Sequence, residues 1–334
     1  MGKKIFNFYG RFNVEINASE SLLERIAANI HTEIKDNNAP LDGIVNINEP
    51  KKYETIIRDK RYPYLTVSTD GSQKSITYYR YNTFIRTINL IREGFYEVDV
   101  NTKDDEAAGL ICFRHFCNNH PSLDQNVLVH ASLVNLNGEG ILMPGNTRSG
   151  KTTLMVHLMQ NLGAELVSED NVYVEKPMKG IYFPKVPRVR FVTVRDSCLA
   201  PLLKDIQATE ATQYWDIESI EKVVAEGKLN TDGGLAISRR KIAEMCGVGT
   251  LESTDINKVI FPSYSEREFS FEEIDGEEAF CMLERFGREK KRDLDSRDIS
   301  EEPISLDNFK KENIRFYTLK FGGMKDLEDN IFSL

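Results

Sequence analysis

Apolar and polar positions change rhythm three times along this chain, and each change predicts a different kind of element. Residues 4–16 alternate as a strand does, and Leu22, Leu23, Ile26, Ala27 and Ile30 recur at helical spacing within residues 18–34. From residue 43 to 100 the pattern becomes short β-branched and aromatic runs at 44–47, 64–68, 75–81, 83–91 and 96–100. Turns such as Thr69-Asp70-Gly71-Ser72 separate them. That pattern predicts an antiparallel meander. Ala107, Ala108, Leu110, Ile111, Phe113 and Phe116 then predict a helix over residues 104–118, followed by a loop over 119–125. Residues 1–120 therefore read as a small α+β domain, and 121–334 as a second domain.

The second domain opens with a strand over 127–135, which turns through Asn137-Gly138-Glu139-Gly140 into the apolar run Gly140-Ile141-Leu142-Met143. This is an antiparallel hairpin. The run Thr153-Leu154-Met155-Val156-His157-Leu158 suits a helix. Two short strands at 164–168 and 172–175 meet at the acidic turn Glu169-Asp170-Asn171. Later segments read as a helix over 217–226, a loop over 230–234, a strand over 258–261 and a strand plus helix over 314–334. Residues 285–302, dense in both charge signs, read as a solvated helix face or a mobile loop rather than a binding site.

Between the hairpin and the helix stand Gly145, Asn146, Thr147, Arg148, Ser149, Gly150, Lys151 and Thr152, the spacing of a P-loop. Glycines at both ends let the backbone turn so that successive N–H groups point inward at phosphate oxygens. Lys151 supplies a point charge for the β and γ phosphates, the Thr152 hydroxyl suits Mg²⁺, and the following helix adds its positive dipole end. A hairpin leading into the loop is unusual, because most nucleotide triphosphatases enter theirs from a parallel βαβ sheet.

Composition narrows the partners. At 334 residues, 40% hydrophobic and 28% charged, the chain has material for two modest cores. A net charge of −9 argues against a broad nucleic-acid-binding face. No run of 18 apolar residues occurs, and the N-terminal residues lack the apolar core of a signal peptide, so a cytoplasmic protein with no membrane partner is expected. The five cysteines (Cys112, Cys117, Cys198, Cys246, Cys281) are odd in number and scattered, as reduced thiols are. Cys112, His115, Cys117 and His120 raise the question of zinc, but their spacing fits no finger or ribbon pattern. A helix accounts for them more simply.

A phosphotransferase needs a carboxylate near the γ phosphate to hold Mg²⁺ or to orient and deprotonate the attacking hydroxyl. Glu169 and Asp170, at the end of a buried-looking strand, suit that task. A guanidinium can stabilise the equatorial oxygens, and Arg148, Arg188, Arg190, Arg239 and Arg240 are candidates among which position alone does not choose. Arg148 lies within the loop itself. His130 precedes the loop by one strand.

The order of Val129-His130-Ala131, the loop at 145–152 and Leu166-Val167-Ser168-Glu169-Asp170-Asn171 resembles the catalytic domain of HPr kinase/phosphorylase and its relatives, within the phosphoenolpyruvate-carboxykinase-like P-loop class. A weaker likeness runs through 184–190, Val259-Ile260-Phe261-Pro262 and 316–322. The resemblance implies an α/β fold of mixed sheets and ATP-dependent phosphorylation of a hydroxyl on a small molecule, peptide or protein, with Mg²⁺. By the same resemblance, residues 145–152 with Thr153 bind the nucleotide, Thr152 with Glu169 and Asp170 holds the metal, and Lys151, Arg148, the acidic pair and His130, the pre-loop histidine, are catalytic. Relatives often assemble into homo-oligomers, and the resemblance leaves the oligomeric state of this chain open. Three departures stand out: Glu169 replaces the first of two aspartates, Thr147-Arg148 replaces small residues, and Thr153 replaces the acid that follows the loop hydroxyl. No docking signature for the HPr protein is present, so a divergent relative is expected, its N-terminal domain selecting substrate. An ATP-binding or hydrolysing regulatory module without an acceptor, or a carboxykinase-type enzyme, are the alternatives.

Overall fold

The computed structural model describes residues 1–30, 32–34, 40–48, 65–70, 73–80, 83–92, 94–100, 106–203, 234–265, 268–288 and 313–330. It has a mixed α/β architecture, and the chain divides into two compact units between Asp124 and Gln125. Among the described residues no helix is long and apolar enough to cross a membrane.

In the first unit, Tyr9 and Gly10 both take positive φ (52° and 69°). They fold the predicted single strand into a hairpin of β1 (Gly2–Phe8) and β2 (Phe12–Ala18). Helix α1 (Glu20–Ala27) is shorter than its apolar spacing predicts, because Asn29 Nδ2 donates to the Arg25 carbonyl at 3.1 Å and closes the last turn. The remaining elements are β3 (Thr32–Ile34), β4 (Gly43–Ile47), β5 (Leu65–Asp70), β6 (Gln73–Arg80), β7 (Thr83–Arg92), β8 (Phe95–Val100) and α2 (Glu106–Asn119). The sheet runs β3-β1-β2-β4-β8-β7-β6-β5. Only β5 to β8 form the predicted meander; β4 lies parallel to both β2 and β8, so the sheet is mixed. Phe6, Phe8, Val14, Ile16, Val45, Tyr96 and Val98 are buried with Leu22, Leu23 and Ile26 of α1.

The second unit contains β9 (Val127–Val129), β10 (Ala131–Leu136), β11 (Glu139–Pro144), α3 (Lys151–Leu162), β12 (Glu165–Ser168), β13 (Val172–Glu175), β14 (Lys179–Tyr182), β15 (Arg188–Arg190) and α4 (Phe191–Arg195). It continues with β16 (Gly234–Ala236), α5 (Arg239–Cys246), β17 (Ser253–Tyr264), β18 (Ser270–Glu273), α6 (Gly276–Glu284), β19 (Gly287–Arg288), β20 (Arg315–Phe321) and α7 (Met324–Asn330). The helix expected over 217–226, most of the loop at 230–234 and most of the charged stretch at 285–302 lie outside the described residues.

The expected strand over 127–135 is broken at His130, because β9 pairs with β13 while β10 pairs with β11 and β12. Likewise β12 and β13 meet at the acidic turn yet pair with different neighbours. The long strand β17 runs parallel to β11 and to β20, and β10 is antiparallel to both β11 and β12. Strands β11, β12, β17 and β20 therefore all end at the same edge of the sheet, where β10 begins. Leu154, Met155 and Leu158 of α3 pack in one cluster with Ile141, Met143, Ile260, Leu319 and Phe321, which seats the helix on one face of these strands. Gly163, at φ 74°, ends α3 by donating to the Met159 carbonyl and sends the chain into β12. Cys198 and Cys246 are distant in sequence, yet their sulfurs lie 3.1 Å apart.

Candidate active site

The loop at 145–150 joins β11 to α3 through two left-handed residues, Arg148 (φ 73°) and Gly150 (φ 100°). At Gly150 a side chain has no room: an added Cβ would stand 2.5 Å from the ring of Phe321. Gly145 is held at its root, its N–H donating to the His130 carbonyl at 3.3 Å, and Ser149 N–H closes on the Asn146 carbonyl at 3.1 Å. Asn146, Thr147 and Arg148 are exposed at the tip. The predicted strand, loop and helix are all present, with α3 beginning at Lys151.

Lys151 is only 6% exposed and folds back along the loop, donating to the carbonyls of Gly145 at 2.8 Å and Asn146 at 3.0 Å. Burial lowers its pKa, against the raising influence of Asp170 and Glu169. The Thr152 hydroxyl donates to Glu169 Oε1 at 2.8 Å. Thr153, next along α3, shares a hydrogen bond with Thr193 of α4 at 2.8 Å. That ties the helix to its neighbour and occupies the Thr153 hydroxyl.

The acidic turn is built by its flanking polar residues. Ser168 Oγ donates to the Asn171 carbonyl at 2.6 Å, and Asn171 N–H donates to the Glu169 carbonyl at 2.8 Å. Asp170, between them, is forced to φ 66°. The two carboxylates then diverge. Glu169 is buried on the Thr152 side, and its Oε2 has no hydrogen-bond partner among the described residues. Burial and the adjacent Asp170 push its pKa up to about 7. Asp170 instead meets His130, whose Nε2 lies 3.1 Å from Oδ1, and Lys185, whose ammonium donates to Oδ2. Burial alone would raise the Asp170 pKa, but the Lys185 ammonium and the His130 hydrogen bond hold it well below the usual carboxylate range.

Lys185 is the site residue that motif reading missed. It belongs to no phosphate signature. What delivers it is Ser168, whose hydroxyl accepts from Phe183 N–H at 2.8 Å and pins the segment after β14 beside the acidic turn.

Among the candidate arginines, Arg239 is committed elsewhere. It is 4% exposed, donates to the carbonyls of Leu166 and Leu251, and lies 4.9 Å over the Tyr182 ring. Burial lowers its pKa to about 10. Its work is to hold β12 and the chain before β17 together. Arg240 is exposed on α5, and Arg188 and Arg190 lie on β15, which pairs with β16. In the first unit, His115 Nδ1 bonds the Tyr96 hydroxyl at 2.6 Å, His120 Nδ1 bonds Ser122 Oγ at 2.7 Å, and Cys112 and Cys117 are buried. These contacts belong to the packing of α2.

The sheet edge thus gathers the loop at 145–150, Thr152 with Glu169, and Asp170 with His130 and Lys185. Chemically it offers backbone donors, one buried ammonium, and two carboxylates of opposite proton affinity. Hydroxyl and carboxylate oxygens are ligands for a hard divalent cation, and the unpartnered Glu169 Oε2 fits that use. No protein-family model matches the sequence, and no curated protein matches it.

Proposed function

We propose that this chain is an ATP-dependent kinase, a divergent member of the HPr-kinase-like P-loop class, transferring the γ phosphoryl group to a hydroxyl. One observation carries the reading: the acidic pair beside the loop is split, Glu169 toward Thr152 and Asp170 toward His130 and Lys185. A module that only bound nucleotide would need the first carboxylate and not the second.

In this reading the loop amides and Lys151 would cradle the phosphates, while Thr152 and Glu169 would hold Mg²⁺. When bound, Mg²⁺ neutralises charge on the β and γ oxygens. Asp170 stays ionised throughout the working pH range and accepts the hydrogen bond of the acceptor hydroxyl. As the acceptor oxygen bonds to the γ phosphorus and the bond to the ADP oxygen breaks, the hydroxyl proton passes to Asp170. A loose transition state asks little basicity of that group, so a carboxylate held by two cationic or donor partners serves through position. The acceptor is a small molecule, peptide or protein hydroxyl, selected with the help of the first unit, and the setting is the cytoplasm, where ATP is supplied.

The test is incubation of the full chain with γ-labelled ATP, Mg²⁺ and a cell extract. Lys151→Ala should lose nucleotide turnover, and Asp170→Asn should keep ATP affinity within about threefold while losing transfer, since its role begins after binding. Turnover in Lys151→Ala equal to that of the unaltered protein would overturn the assignment.

A further inference from the structure

The edge that carries the loop extends beyond it, and its far side ends in an aromatic residue the phosphate chemistry does not use. Tyr264, the last residue of β17, is 56% exposed. Large apolar side chains exposed to this degree are few among the described residues. It pairs in register with Phe321 of the parallel strand β20, and Ser265 N–H donates to the Phe321 carbonyl at 2.9 Å, which fixes the end of β17. Side chains of directly paired residues share a sheet face, and positions four apart on one strand do too. Ile260 and Phe321 both belong to the cluster under α3, so Tyr264 stands on that same face, one step past the covered core. Phe321 in turn touches Gly150 of the loop.

Direction follows from strand order. The sheet runs β12-β10-β11-β17, with β20 beside β17. A triphosphate held after β11 must aim its terminal group at Asp170 and His130, which lie on the β12 and β10 side. Its nucleoside end then extends toward β17 and β20. In the β11–β17 register Leu142 is level with Val259, so Tyr264 stands three residues past the level of Pro144, about 10 Å further along the strand direction and one strand spacing of about 4.8 Å to the side, a distance that a base extending from the α phosphate covers. We infer that Tyr264 is the platform on which the purine base of the nucleotide stacks, with Phe321 as the packed support beneath the loop. This inference rests on the nucleotide-binding reading above. Stacking needs the face of the ring and not its hydroxyl, so it selects a nucleoside over bare phosphate without choosing among purines.

Titration calorimetry with the full chain and Mg²⁺ tests it, using ATP and inorganic triphosphate as separate ligands. Tyr264→Ala should weaken ATP binding about tenfold and leave inorganic triphosphate unchanged, while Tyr264→Phe should bind ATP as the unaltered protein does. Unchanged ATP affinity in Tyr264→Ala, or an equal loss for both ligands, would overturn the platform while leaving the phosphate site standing. If the unaltered protein bound neither ligand, the phosphate site itself would fall, and the platform with it.

Discussion

Glu169 should be a residue the protein keeps at a cost to its own stability. Replacing it with glutamine leaves the shape and the acceptor for the Thr152 hydroxyl in place, and removes the buried negative charge. The folded chain raises the pKa of Glu169 from 4.5 to about 7. A carboxyl that takes up its proton more readily when folded opposes folding as it ionises. Well below pH 4.5 both states are protonated and the group costs nothing; the cost then grows through the interval and is complete above pH 7. Worked through, that is about 3 kcal/mol at pH 8 and about 1 kcal/mol at pH 5. For a unit of this size, Glu169→Gln should then melt about 6–12 °C above the unaltered protein at pH 8 and about 2–4 °C above it at pH 5. Thermal melts in chelator at the two pH values measure it, and labelled ATP should show transfer lost in the same variant. Equal melting temperatures at pH 8, or a gap as wide at pH 5, would refute the argument that burial of this charge is uncompensated.

Two further outcomes follow from the contacts around it. Lys185→Met should move the acid limb of the pH–rate profile for kcat/KM to higher pH, because Asp170 loses the cation that depresses its pKa; Lys185→Arg should leave the limb in place, and an unmoved limb in the Met variant would exclude this coupling. Gly150→Ala should lower stability by about 1–3 kcal/mol in urea unfolding, from φ 100° and a Cβ placed 2.5 Å from the Phe321 ring. In a Phe321→Leu background the same Gly150→Ala change should cost less, by the packing share of that loss alone.

Local signals were readable wherever chemistry and periodicity lie in consecutive residues. The eight residues 145–152 define their loop because glycine conformation, lysine charge and a helix start act within one turn. The acidic turn is legible for the same reason: Ser168 and Asn171 fold it through bonds to near neighbours. The hairpin of β10 and β11 followed from its turn residues. Where the reading went astray, a distant partner had decided the matter. The break at His130 exists because β9 and β10 pair with different strands, which alternation along 127–135 cannot encode.

Sequence alone thus determined that this chain carries a glycine-bounded loop between a strand and a helix, and an acidic pair soon after it, because those patterns are local. Only the tertiary structure decided how the pair divides its tasks. Glu169 and Asp170 are adjacent in the chain, and composition treats them alike. Their opposite proton affinities arise from burial against Thr152 on one side and from the charges of Lys185 and His130 on the other, delivered by strands that meet at one edge of the sheet. Electrostatic environment is a property of three-dimensional neighbours, and no spacing along the chain specifies it.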